Sequence, residues 1–162
     1  MSEKSYMSGN PEVKSDFCVS YSTENSGELN INIQSKTAIL HGSKLKSITE
    51  KTLSDLGIKS GNLTIVDNGG QYFVLQARIE AAVNAADSKL KTESLPDFKQ
   101  HSQYKSFRDR FRRSRLYLPG NQAKLMLNAG IHQPDAIILD LEDSVAPDEK
   151  DAARLIVRNA LR

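Results

Sequence analysis

At 162 residues, 38% hydrophobic and 26% charged, the chain has the length of one ordinary domain or two small ones and the composition of a soluble globular protein. A formal net charge of +2 excludes a chain-wide nucleic-acid or membrane-surface footprint, and no apolar run approaches the roughly 20 residues that cross a bilayer. The polar start MSEKSYMSGNPEV lacks the apolar core of a secretory signal, and Cys18, the single cysteine, excludes an internal disulfide; together they lead to the expectation of a reducing cytoplasm.

Residues 1–15 are polar and without periodicity, so they read as a flexible N-terminal arm. From Asp16 the pattern alternates: Phe17, Val19 and Tyr21 point one way, and Leu29, Ile31 and Ile33 repeat the period. Two such runs about a polar stretch with Gly27 predict a hairpin with one buried face. Leu45, Ile48, Leu53 and Leu56 then fall at helical spacing, with Ser43 as a candidate N-cap, a competing Ser47/Glu50 capping box, and Gly57 where a left-handed C-terminal cap belongs. A second hairpin is expected from Leu63 to Ala77 about the Asp67-Asn68-Gly69-Gly70 turn, and the Ala-rich run Ile79 to Ala86 reads as a helix. The predicted order over residues 16–87 is ββαββα, a small α+β unit with helices on one face of an antiparallel sheet.

Residues 88–111 read as a linker, with a helical turn near Tyr104 to Phe111. Residues 112–162 change character. Arg115 to Pro119 and Ala136 to Asp140 are short strands, each running into a polar loop and then a helical pattern, a β-α-β-α succession. Charge is uneven as well: 8 Lys/Arg against 10 Asp/Glu in residues 1–88, and 14 against 10 thereafter.

Three features carry chemistry. The basic run from Lys105 to Arg115 reads foremost as a solvated approach to the β/α segment. A nucleic-acid footprint ranks below a second possibility, that Arg113 and Arg115 grip the oxyanions of a phosphorylated or carboxylated ligand. The Pro119-Gly120-Asn121 turn lets backbone approach a ligand closely at a helix start, although such turns often need Gly for geometry alone. The third feature is the carboxylate cluster Asp140, Glu142 and Asp143 at the C-terminal end of a nearly all-apolar strand, the end where β/α folds collect catalytic groups. Like charges this close persist only with a cation, a basic partner or a shared proton; the alternative is Asp143 or Ser144 as a helix cap and Glu142 solvated.

RRSRLYLPGN, KLMLNAGI, DAIILDLEDSVAP and DEKDAARLIVRNAL resemble the opening of the citrate lyase β subunit and, more widely, the CoA-ester lyases, from Arg112 to Leu161. Residues 9–86, with VDNGGQYFVLQARIEAAVNAA, resemble the γ subunit of citrate lyase, a small acyl carrier protein. The resemblance implies a carrier fused in series to the first two β/α units of a TIM-type barrel, an incomplete segment that lacks the full catalytic set. Such barrels need about 250 residues, so exposed apolar faces are expected unless another chain completes the segment.

It also implies a phosphoprotein: phosphoribosyl-dephospho-CoA, a phosphopantetheine-like group, joined through a phosphodiester to a serine near the N-terminus. Its thiol holds acetyl, which a transferase (α) subunit exchanges for citrate. The β subunit then splits the citryl thioester, with Mg²⁺ serving only the complete lyase. The family's Gly-Thr-Leu-Glu-Ser-x-Asp motif meets Gly9-Asn10-Pro11-Glu12-Val13-Lys14-Ser15-Asp16 here. Ungapped, Lys14 takes the serine's place; one extra residue after Glu12 gives the role to Ser15, with Ser8 and Ser20 as lesser candidates. Asp140, Glu142 and Asp143 become site-lining groups, and the implied partners are the α and β lyase subunits and a holo-forming transferase, with neither nucleic acid nor membrane. The rival reading is a non-catalytic docking module of a lyase complex.

Overall fold

The computed structural model describes residues 5–23, 27–99, 105 and 107–162. They form a mixed α/β structure with a four-stranded sheet and a separate two-stranded sheet. The first contains β1 (Ser5–Ser8), β2 (Phe17–Ser22), β3 (Leu29–Ser35) and β4 (Gly61–Asp67), with α1 (Ala38–Asp55) between β3 and β4 and α2 (Tyr72–Ala86) after β4. Strand order is β1-β2-β4-β3; β4 runs antiparallel to β2 and parallel to β3.

This βββαβα order corrects ββαββα in three places. Residues 5–8 of the expected arm pair as edge strand β1, with Ser8 opposite Val19. Four residues without apolar alternation gave no strand signal.

The expected hairpin between β2 and β3 does not form, because β4 lies between them. Period-two patterning names a strand's buried face and leaves its partner open; here α1 supplies the long crossover that a parallel β3–β4 pair requires. Residues 24–26 of the expected turn lie outside the described residues.

The second hairpin is also absent, since Tyr72–Ala77 is the first half of α2. A short apolar run looks the same in a buried strand and a buried helix. Helix α2 is buried nearly all round because it packs on β1 and β2, on α1, and on a helix from the C-terminal third.

Helix α1 begins five residues before Ser43, following Thr37. Ser35 and Thr37 donate side-chain hydrogen bonds to Asp67 Oδ2 (2.6 and 3.3 Å), fixing the entry, while Ile39 and Leu40 in the first turn are exposed and blur the amphipathic pattern. The end matches expectation: Gly57 sits at φ +75°, its N–H reaches Ser54 O (3.0 Å), and Ile58 N–H reaches Leu53 O (2.9 Å), the paired bonds of a Schellman cap. Phe17, Val19, Leu63 and Ile65 from the sheet meet Leu45, Leu53, Leu75 and Ile79 from the helices in a closed core.

The two-stranded parallel sheet joins β5 (Arg115–Pro119) to β6 (Ala136–Asp140), with Tyr117 opposite Ile138. Helix α3 (Ala123–Asn128) follows β5 and α4 (Lys150–Ala160) follows β6, as the β-α-β-α reading expected. Tyr117 and Ile137 are 64% and 46% exposed, so the strands have no closed core of their own. Helix α4 instead lies on α2, with Ala153 and Ile156 fully buried.

Residues 88–99 hold no helix or strand, yet they are fastened: Thr92 Oγ1 donates to Leu56 O (3.0 Å) and Ser94 Oγ to Asp55 (2.9 Å). The turn expected near Tyr104 to Phe111 falls partly on residues 104 and 106, outside the described residues; Arg108 and Asp109 form a turn.

Candidate functional site

The chain between β1 and β2 folds over the Asp67–Gly70 turn. Asn10 Oδ1 accepts from Glu12 N–H (2.9 Å), Asn68 Nδ2 donates to Pro11 O (2.7 Å), and Ser15 N–H donates to Asn68 O (2.9 Å). These bonds hold Ser15 at φ +63°, a left-handed conformation uncommon outside glycine. Such residues persist where their surroundings over-determine them, and they gather at functional positions. Ser15 is half-buried, on the surface of a cleft.

Beneath it, the buried Asp16 carboxylate takes Arg78 Nη2 on Oδ2 (2.6 Å) and Arg78 Nε on Oδ1 (3.1 Å), while Oδ1 also accepts Phe17 N–H (2.7 Å). Arg78 is 3% exposed, so the pair anchors the Ser15 turn to α2 from inside the protein. The sequence signal for it was an arginine within the largely apolar FVLQARIEAAV run, facing an aspartate at a strand start.

The facing wall comes from the C-terminal third. Gly120 ends β5 with its N–H on Asp140 O (2.7 Å); a Cβ there would lie 2.6 Å from Leu141 and 2.8 Å from Asp140 O, so only glycine fits. Next to it, Asn121 Nδ2 donates to the Glu149 carboxylate. A carboxylate accepts only, which fixes the amide orientation and leaves Asn121 Oδ1, shielded from solvent, without a donor. Ser15, Asp16, Arg78, Asn121, Gln122 and Lys124 line a cleft of about 360 Å³ between the two walls. It offers the Ser15 side chain and, from Lys14 and Lys124, cationic charge.

The three serines occupy different settings. Ser8 is 7% exposed at the end of β1, shielded from reagents. Ser20 Oγ shares a hydrogen bond with Ser5 Oγ (2.6 Å) on the sheet face. Ser15 alone of the three stands on a turn beside the cleft.

Asp140 closes the loop after β6. Its Oδ1 accepts from Glu142 N–H (2.8 Å) and its Oδ2 from Ser144 N–H (3.1 Å). The Ser144 side chain first, then the Glu142 amide, hold its carboxyl below the usual range, with Lys150 adding to the effect. Lys150 Nζ also donates to Glu142 O (2.9 Å). Glu142 and Asp143 are exposed. Among the described residues no three His, Cys, Asp or Glu side chains converge as metal ligands.

Arg115 opens β5 at the opposite end, about 13 Å from Pro119 at roughly 3.3 Å per strand residue, and Arg113 lies two residues before it. There the Asp135 carboxylate accepts from Arg113 N–H (2.9 Å) and Ser114 N–H (3.1 Å); the Ser114 amide foremost lowers its pKa. The structure therefore gathers Ser15 with the β5–α3 loop, sets Asp140 next to that loop through Gly120, and leaves Arg113 and Arg115 apart.

Residues 4–86 match the family described as malonate decarboxylase delta subunit, an acyl carrier type, and residues 113–162 match HpcH/HpaI aldolase/citrate lyase. The C-terminal third is 51% identical over 53 residues to citrate lyase subunit beta of Haemophilus influenzae, covering 33% of this chain and 18% of that protein. It is 44% identical over 54 residues to the same subunit of Leuconostoc mesenteroides, again covering 33% of this chain and 18% of the relative. A (3S)-malyl-CoA thioesterase of Cereibacter sphaeroides is 47% identical over 49 residues, covering 30% of this chain and 17% of that protein. The chain thus spans under a fifth of the length of these relatives.

Proposed function

The chain belongs to the malonate decarboxylase delta subunit family through residues 4–86, half its length, and from that premise we propose that it is a covalent acyl carrier fused to a citrate lyase β-type segment. The proposed division is a carrier over residues 16–87, now extended by β1, then the segment 88–111, then two β/α units over 112–162 that belong to a barrel. Ser15 is the proposed attachment point for phosphoribosyl-dephospho-CoA, and one observation carries that choice: a half-buried serine held at φ +63° on the wall of a cleft.

The residues present fit such a group. When bound, it supplies a thiol on a long arm, so that an acyl thioester stays at high effective concentration near its enzymes. Asp16 and Arg78 hold the turn rigid from below. Lys14 and Lys124, both on the cleft wall, would hold the negative charge of a phosphodiester on Ser15. Asp140 shapes the loop beside Gly120, and Glu142 and Asp143 stand exposed at the same strand end as site-lining groups. The partners that follow are the acyl transferase and lyase subunits of a citrate lyase-type complex, and the transferase that loads the carrier.

Incubation with that transferase and the nucleotide precursor, read by intact mass, is expected to add one prosthetic group. Ser15→Ala should abolish the adduct, while Ser8→Ala and Ser20→Ala keep it. An adduct that survives Ser15→Ala removes the assignment of Ser15. No adduct on any serine, with the chain still co-purifying with lyase subunits, leaves an assembly module.

A further inference from the structure

Helix α2 carries a second charged residue inside its apolar run. Glu80 is 1% exposed, and a buried carboxylate is costly unless paired. Its partner lies 78 residues away: Arg158 of α4 donates Nη1 to Oε1 (2.9 Å) and Nη2 to Oε2 (2.7 Å). Ser94 N–H completes the Glu80 acceptors (3.2 Å), and Arg158 Nη2 also reaches Ser94 O (3.3 Å), so the segment after α2 is stitched into the same contact. Beside it, Asn159 Nδ2 donates to Phe73 O (3.1 Å) and Ile156 is fully buried. The chain's end closes the seam: Arg162 Nε donates to Pro96 O (3.0 Å), and its guanidinium lies 5.5 Å from the centre of the Phe98 ring.

Nothing covalent demands this arrangement. The sixteen steps from Lys99 to Arg115 could extend to about 55 Å, so chain length alone does not determine where the β/α units sit. The side chains do. A bidentate Arg–carboxylate pair has a fixed fork geometry, and a buried pair is suited to setting register more than to adding stability. The register it sets brings the Gly120–Lys124 loop, at the C-terminal end of β5, against the Ser15 turn. Val157, one residue before Arg158, lies against Gly120, 3.1 Å from where a Cβ would stand, so α4 touches both the clamp and the cleft loop.

We infer that Glu80 and Arg158 are positioning residues: they dock the carrier onto the β/α units of its own chain, so that a group on Ser15 is presented in cis to the C-terminal end of β5. The inference rests on the reading of Ser15 as the attachment point, but its test does not need the attachment.

Val13 and Leu125 are partly exposed and lie on the cleft wall, and Cys18 is buried, so Val13→Cys with Leu125→Cys reports the closed cleft through a short bis-maleimide bridge. At low micromolar protein the bridge is expected within one chain, at a rate independent of concentration. Arg158→Ala should lower that rate about tenfold to a hundredfold, less than for a fully buried pair because the Arg158 side chain is 24% exposed, while circular dichroism stays unchanged. The exchanged pair Glu80→Arg with Arg158→Glu should recover part of it, which a merely unfolded chain would not do.

An unchanged intrachain rate in Arg158→Ala overturns the inference. So does bridging that runs mainly between chains and rises with concentration, because the units would then be exchanged between copies. In the otherwise unchanged chain, absence of the mass adduct with intrachain bridging intact removes Ser15 alone; absence of intrachain bridging with the adduct intact removes the cis arrangement alone.

Discussion

The four-stranded unit and the two-stranded unit of this chain bury themselves in opposite ways. The first closes on itself: alternate residues of β2 and β4 are buried against α1 and α2, and its polar groups lie mainly on the outer sheet face and the outward side of α1. The second leaves Tyr117 and Ile137 in solvent, and its fully buried positions, Ala153 and Ile156, lie on α4, against a helix of the first. Both contain parallel strands linked through helices, yet one has a core and the other borrows one. A β/α repeat covers one face of its strands with its own helix and depends on neighbours for the rest.

The largest effects should separate the units. Arg78→Ala leaves Asp16 buried without its cation and is expected to cost about 3–5 kcal/mol of the four-stranded unit's stability. The charge-free double change Asp16→Asn with Arg78→Met should cost much less, because no buried charge is orphaned. Urea unfolding of both variants checks this; equal losses would mean that shape, and not charge, ties the Ser15 turn to α2. Next in size, Ile65→Ala should cost about 2–5 kcal/mol, whereas Ile137→Ala, half-exposed on β6, should stay under about 1 kcal/mol. Similar losses at the two sites would show that the two-stranded unit has a core after all.

A smaller effect tests one local motif. Gly57 has open space around it, so Gly57→Ala meets no clash and pays only for its left-handed backbone, about 1–2 kcal/mol. A neutral result in urea unfolding would mean that the Schellman cap rearranges freely.

That cap was legible in advance because a single residue type at a single spacing carries it. The β-α-β-α succession was legible for a similar reason: each strand, loop and helix is adjacent in sequence, and parallel neighbours follow from the alternation. The four-stranded sheet was not, because Leu29–Ser35 states which of its faces is apolar and says nothing about whether β2 or β4 lies beside it. Tyr72–Ala77 was misread since burial on every side removes the period that marks a surface helix. At the candidate site, Asp140 was singled out from its place at a strand end and Ser15 from the family resemblance, whereas Asp16–Arg78 and Asn121–Glu149 join residues 62 and 28 apart and become visible only in three dimensions. The Arg113/Arg115 suggestion rested on nearness in sequence to a strand whose far end holds the cleft.

The smallest expected effect is one of pH, and it too should fall on one unit. Asp135 and Asp140 bracket β6, and both have their carboxyls lowered by hydrogen bonds from the residues they cap. A depressed carboxyl contributes stability above its unfolded value of about 3.9 and loses it as pH falls through the lower folded value. Acid should therefore loosen the β5–β6 pair below about pH 4, before the buried core of the four-stranded unit responds. Hydrogen exchange between pH 6 and pH 3, corrected for intrinsic rates, should show protection falling first at the Ser114, Glu142 and Ser144 amides. Asp140→Asn, which keeps one acceptor and removes the charge, should flatten the change at Glu142 and Ser144 and leave Ser114 as it was. If all three amides lose protection together with those of β4, the two units unfold as one, and the seam between α2 and α4 couples them more tightly than their separate sheets suggest.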